Sequence, residues 1–246
     1  MALTPSSTRA ALAGLVAAFT VVIACPAQAQ SLAPSAVSDA EGVERLHRDT
    51  IRTRRLLADS VFVAGLGSIA GGGALIIPSG DDQAWRYAGL NTAIFGVVNT
   101  VVGLLALHGI AAEEAVWESD ELLAARRTPE GLAHARIHAA LDERRESVGH
   151  AINLGLDGAY LGVAATSLVA SQLGVDHPKR WFASGIAIGT QAIFLVGIDF
   201  IGLARSQMYH RAFVESLMPT FSVTPAITPA GTTSGTETRF GVGGTF

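Results

Sequence analysis

The chain has 246 residues, 49% of them hydrophobic and only 15% charged, with a mean hydropathy of +0.39. Soluble domains carry about 25% charged residues, so this one is short of the groups that keep a surface in water. Sixteen arginines and Lys179 against 21 acids leave a net charge of -4, which excludes the basic footprint of a nucleic-acid binder.

The N-terminus reads as an export signal. Arg9 precedes an uncharged stretch over residues 10–24, followed by Cys25-Pro26 and the small-residue ending Ala27-Gln28-Ala29. The apolar core of about 15 residues falls short of the roughly 20 that span a bilayer. Residues 1–29 are therefore expected to be a signal peptide cut after Ala29. Lipidation of Cys25 within Val22-Ile23-Ala24-Cys25 ranks second, because a proline follows the cysteine, and an uncleaved anchor ranks third. A chain cut at Ala29 has no cysteine, which excludes disulfides, thiol catalysis and Cys-ligated metals.

Residues 30–57 are expected to form a linker and an amphipathic helix. Ser38-Asp39-Ala40-Glu41 has the spacing of a capping box ahead of Val43, Leu46, Ile51, Leu56 and Leu57. Residues 58–110 read as a first transmembrane hairpin, with uncharged blocks at 61–77 and 87–110 and Asp59 just outside. Residues 111–149 read as extramembrane amphipathic helices. The stretch 111–127 has Glu113, Glu114, Glu118, Asp120 and Glu121 early and Arg126 and Arg127 last, an order that suits a helix dipole. Thr128-Pro129-Glu130 then supplies an N-cap with proline at the first helical position.

Residues 150–205 read as a second hairpin, with blocks at 151–173 and 181–204 that contain Asp157 and Asp199. Trp85 and Trp181 open the second helix of each hairpin, at the level where tryptophan favours the headgroups. The blocks lack strict alternation, so spanning strands are not expected. Residues 206–246 form a C-terminal tail rich in threonine, glycine and proline, expected to be a short β-hairpin or disordered. The predicted fold is all-α: a four-helix transmembrane bundle of two similar hairpins, each preceded by an amphipathic helix.

The hairpins look like a duplication. Asp59, Phe62 and Val63 recur as Asp157, Tyr160 and Leu161, and Trp85 with Gly89 recurs as Trp181 with Gly185. Two spans per unit would make the halves parallel repeats about an axis along the membrane normal. Small-residue stripes mark each span: Gly67 and Gly71, then Gly89, Gly96 and Gly103, then Gly158 and Gly162, then Gly185 and Gly189. In lipid such residues let helix backbones approach, so they are expected to pack the bundle or join protomers.

Polar residues inside the spans need a reason, since a charge at the bilayer centre costs about 2.5–3.5 kcal/mol on insertion scales. Asp59, Asn91, Asn99, His108, His150, Asp157, Gln191 and Asp199 form an intramembrane polar set, most of it towards the long-loop side. One reading is structural, with hydrogen-bonded polar groups fixing the helix order. The sharper one is a proton or cation site in which Asp157 and Asp199 share a proton, because two close carboxylates cannot both ionise cheaply. His134 and His138 have the i, i+4 spacing of a helical metal site but lack the adjacent glutamate of a zinc protease, so no metal is expected. No phosphate loop, dinucleotide fingerprint or catalytic Ser-His-Asp spacing is present, and no catalytic residue or cofactor is expected.

Asn91, Val98 and Asn99 in the second span, Asn153 to Tyr160 in the third, and Gly189, Gln191, Phe194 and Asp199 in the fourth carry a resemblance. Together they resemble an uncharacterised bacterial family of small four-span integral membrane proteins with a domain of unknown function. The match covers residues 57–211, and the first span departs from that family's tryptophan and asparagine. The resemblance implies the architecture and singles out Asp157, Gln191 and Asp199; it implies no chemistry.

The resulting expectation is a multi-pass inner-membrane protein with an exported, periplasmic N-terminus. Its role is expected to be non-enzymatic: a structural, assembly or envelope-associated component, with the lipid bilayer and a second copy or other membrane proteins as partners. The alternative is a small proton- or cation-coupled transporter or channel using Asp157 and Asp199. One conflict stands in the sequence itself. This orientation puts twelve arginines between Arg45 and Arg211 outside the cytoplasm and leaves Arg86, Lys179 and Arg180 inside, the reverse of the positive-inside rule.

Overall fold

A computed structural model describes residues 39–79, 82–217, 221–226 and 239–244. The expected signal peptide and Cys25 lie outside the described residues. Five α-helices follow in order: α1 (Ala40–Ile76), α2 (Gln83–Trp117), α3 (Asp120–Ala125), α4 (Pro129–Gln172) and α5 (Pro178–Leu217). A single 3-10 turn, Ile77–Ser79, follows α1. Beyond α5, β1 (Phe221–Ala226) and β2 (Arg239–Gly244) pair antiparallel, with Val223 opposite Val242.

The helix starts follow from side chains that satisfy free backbone N–H groups. Asp39 accepts from the Gly42 amide at 2.8 Å, one position on from the expected Ser38 cap, and Ser38 itself lies outside the described residues. Asp82 accepts from the Ala84 amide at 3.0 Å, and Thr128 from the Gly131 amide at 3.1 Å with Pro129 in the first turn. Gly174, at φ 72°, ends the α4 path as only an unbranched backbone does cheaply.

Among the described residues, four helices are long and apolar enough to cross a membrane, so the chain has the make-up of a multi-pass membrane protein. Each amphipathic stretch and the span after it form one unbroken helix. With 37 residues, α1 is about 56 Å long, nearly twice the roughly 30 Å hydrocarbon core, so the bundle projects well beyond it. The charged stretch over 111–127 is not one helix. Helix α2 runs on to Trp117, Ser119 is extended (φ -62°, ψ 143°), and α3 starts anew. The fourth helix also runs past residue 205 to Leu217, taking in the first part of the expected tail.

Each hairpin packs along its length, and the hairpins join through α2 against α5 and α1 against α5. Bonds from Asn91 to Ser184 and from Asn99 to Gln191 advance together along both chains, so α2 and α5 are parallel. Thr53 beside Tyr209 and Ser68 beside Gln191 show α1 and α5 to be antiparallel. An exact twofold would bring α4 against α2 as α1 lies against α5. Instead α4 stands off, meeting α2 where Phe95 and Tyr160 touch edge to face, ring centroids 5.9 Å apart.

The glycines divide sharply. A Cβ on Gly96 would meet the Ile69 amide at 2.6 Å and the Gly65 carbonyl at 2.7 Å, and one on Gly103 would meet the Phe62 amide at 2.7 Å. A Cβ on Gly89 would meet the Gly72 carbonyl at 2.6 Å, so the seven-residue stripe faces α1, where Gly65 and Gly72 answer it. Gly185 lies against Leu168 and Ala164, and Gly189 against the Ala164 methyl at 3.4 Å. Gly67, Gly71, Gly158 and Gly162 meet nothing within 4 Å among the described residues. Spacing alone identifies a helix face, and on α1 and α4 those glycines are on the outward one.

Candidate functional site: an acidic centre beside an open seam

Where α4 stands off from α2, a cleft of about 560 Å³ runs down the seam. Its walls are Leu57, Val61, Val102, Leu156, Leu195 and Ile198, together with the polar residues Asn99, His150, Asn153, Asp157 and Asp199. Asp157 and Asp199, 4% and 7% exposed, project from facing positions of α4 and α5, and their carboxyls adjoin. His150 Nδ1 lies 2.7 Å from Asp199 Oδ1, and Asn153 Nδ2 donates to the same oxygen at 3.3 Å. Gly202 makes this possible, since a Cβ there would run into the His150 ring. Asp199 is thus held from two directions. Among the described residues, Asp157 Oδ2 has no hydrogen-bond partner although it is fully buried.

A second polar group lies deeper along α5. Gln191 Oε1 accepts from Asn99 Nδ2 at 3.1 Å, and its Nε2 donates to Ser68 Oγ at 2.9 Å. One amide so links α1, α2 and α5 with its hydrogen bonds satisfied in both directions. Asn91 donates to Ser184 Oγ at 3.0 Å further on. Asp59 and His108 belong to neither group, because both side chains lie on the exposed face of their helices.

At its outer end the cleft meets Arg54, Glu113 and Glu146. Arg54 bridges the seam: Nη1 donates to Glu113 of α2 at 2.7 Å and Nη2 to Glu143 of α4 at 2.5 Å, with Glu146 at 3.8 Å. Glu143 is 2% exposed, and burial pushes its carboxyl up to about 7 against the pull of Arg54. Burial likewise raises Glu113. Burial would lower Arg54, but the carboxylates around it prevail and raise it, so the guanidinium is the fixed charge of the group.

Beyond this bridge a cavity of about 580 Å³ lies outside the membrane section, sharing Arg54 and Glu113 as walls. Trp117 is clamped there. The His47 ring stacks on one side at 3.7 Å, Arg126 lies 4.1 Å from its centroid, and Nε1 donates to Glu44 at 3.0 Å. Burial, then Arg54 and Arg126, lowers His47 to about 4. His134 and His138 line the same cavity with ring centroids 6.2 Å apart, but among the described residues no three metal-ligating side chains converge.

Some of these partners have a sequence signal and some do not. Asn153 sits one helical turn before Asp157, and Gly65 and Gly72 repeat the seven-residue interval of Gly89, Gly96 and Gly103. Nothing in the sequence pairs Arg54 with Glu113, 59 residues away, or Ser68 with Gln191. No family model matches the chain, and neither does any curated protein or solved structure.

Proposed function

We propose that the protein is a non-enzymatic inner-membrane component that binds an exchangeable proton at the Asp157–Asp199 pair, with a cation as the alternative occupant. The observation that carries this reading is the unpartnered, buried Oδ2 of Asp157 beside a second carboxyl and an open cleft. A bare buried carboxylate oxygen is costly unless a proton, cation or donor meets it. The structural role fits a different subset: Ser68, Asn91, Asn99, Ser184 and Gln191 are consumed in bonds between helices. Polar residues in these spans therefore divide into fixed fasteners and one open acidic centre. The export signal supports placing the Arg54 end of the bundle outside the cytoplasm.

The test is infrared spectroscopy of protein in lipid nanodiscs at neutral pH, in buffer free of sodium and organic cations. The wild type is expected to carry a stronger protonated-carboxyl band than Asp157→Asn, over and above the Glu143 carboxyl common to both, with both proteins melting cooperatively. Equal bands in the two folded proteins would overturn the reading.

A further inference from the structure

The cleft is far larger than a proton needs. One water occupies about 30 Å³ of liquid, whereas about 560 Å³ lies in the range of roughly 300–1,000 Å³ typical of small-molecule sites. Its charge is one-sided: Glu113, Glu146, Asp157 and Asp199 face it, against Arg54 alone and the His150 imidazole. Arg54 is already engaged by Glu113 and Glu143, and His150 and Asn153 both meet Asp199, which leaves Asp157 Oδ2 unpartnered among the described residues. Apart from Asn99 and Asn153, which bond to Gln191 and Asp199, the remaining walls are apolar, and Tyr160 offers a ring on which a cation can rest. Val98 and Val102 on α2, and Leu156 and Tyr160 on α4, stand about half exposed on its two lips, so the mouth opens sideways where the spans would meet lipid.

From this combination of size, largely apolar walls, lateral mouth and an acidic end with one unpartnered carboxyl oxygen, we infer that the cleft binds a monovalent organic cation with an apolar body. The cation pairs with Asp157 and Asp199 and displaces the proton they hold. The inference rests on the acidic-centre reading above and adds to it the class of ligand. Entry from the bilayer needs no opening of the Arg54 bridge. An inorganic ion would leave most of the cleft unfilled, and an anion of the same shape would meet the carboxyls head on.

The experiment uses the full-length protein in nanodiscs with tetraphenylphosphonium as probe, and empty nanodiscs to subtract partitioning into lipid. Saturable binding near one per chain is expected, with release of up to one proton in weakly buffered solution and an affinity that falls by up to tenfold per unit of pH on acidification. The isosteric anion tetraphenylborate is expected to show no saturable component. Asp157→Asn with Asp199→Asn is expected to abolish binding while retaining a cooperative melt. If the double variant does not fold, the wild-type comparison of the two tetraphenyl ions decides by itself. No saturable binding of the cation, or equal binding of the anion, overturns the inference. Should that happen with the protonated-carboxyl band intact, only the ligand class is wrong; loss of both results removes the acidic-centre reading too.

Discussion

At the scale of single residues, the outer bridge is governed by what burial does to charge. Arg54 holds Glu143, which is 2% exposed, and removing one partner of a buried pair leaves the other uncompensated. Arg54→Ala is expected to destabilise the bundle by roughly 3–5 kcal/mol at pH 8, as read by chemical unfolding in detergent, and Glu143→Gln in the same chain should recover most of the loss. A loss that the second substitution does not repair would contradict the assignment. The two buried titrating groups act in opposite directions with pH. Glu143 is raised from 4.5 to about 7, so its share of stability is full below pH 4.5 and lost as pH rises through 7. His47 is lowered from 6.5 to about 4, so its share is full above pH 6.5 and lost as pH falls towards 4. These two shares nearly cancel between pH 4.5 and 6.5. Relative to the wild type, His47→Gln should lose about 3 kcal/mol from pH 4 to 6.5, and Glu143→Gln should gain a similar amount from pH 4.5 to 7. Thermal melts across that range check both differences, and differences of the same sign in the two variants would refute them.

At the scale of helices, backbone approach decides which glycines matter. Gly96→Ala places a methyl 2.6 Å from the Ile69 amide and should cost about 1–3 kcal/mol. Gly67→Ala and Gly158→Ala meet open space and should be neutral, or stabilising by up to about 1 kcal/mol. Melting temperatures in a fixed detergent separate the two classes; a loss at Gly67 or Gly158 matching that at Gly96 would point to a second chain packed on those faces. The elements themselves are largely legible in the sequence. Apolar blocks with at most one charge mark the four helices, and Thr128-Pro129 marks the start of α4 because proline and an N-cap oxygen have local effects. Local effects also explain the misreadings. The interval between Gly67 and Gly71 tells that a face is small, but which face meets α2 depends on the rotation of α1, which no spacing sets. Asp59 and His108 likewise sit near the right depth and on the wrong side. Asn99, Asp157, Gln191 and Asp199 all point inward, and Gln191 finds Ser68 only because α1 runs antiparallel to α5.

At the scale of the whole molecule, the departure from twofold symmetry creates the site. If α4 closed on α2 as α1 does on α5, the space beside Asp157 would be filled, and the carboxyl pair would be one more internal fastener. The helices also reach far beyond the length of a hydrocarbon core, so the acidic centre and the cavity at Trp117 lie in line along one end of the bundle, separated by the Arg54 bridge. From Glu146 to Asp157 is 11 residues, about 16 Å along α4. A reporter fused after Phe246 that works only outside the cytoplasm should be active. An inactive reporter, with a cytoplasmic one active instead, would mean that the arginine distribution sets the orientation and that the centre faces the cytosol. The central claim is that Asp157 and Asp199 hold an exchangeable proton at membrane depth, and counting protons tests it most directly. Acid–base titration of the wild type and of Asp157→Asn in cation-free nanodiscs should show one proton per chain more on the wild type at neutral pH. Identical titration curves for two folded proteins would contradict it.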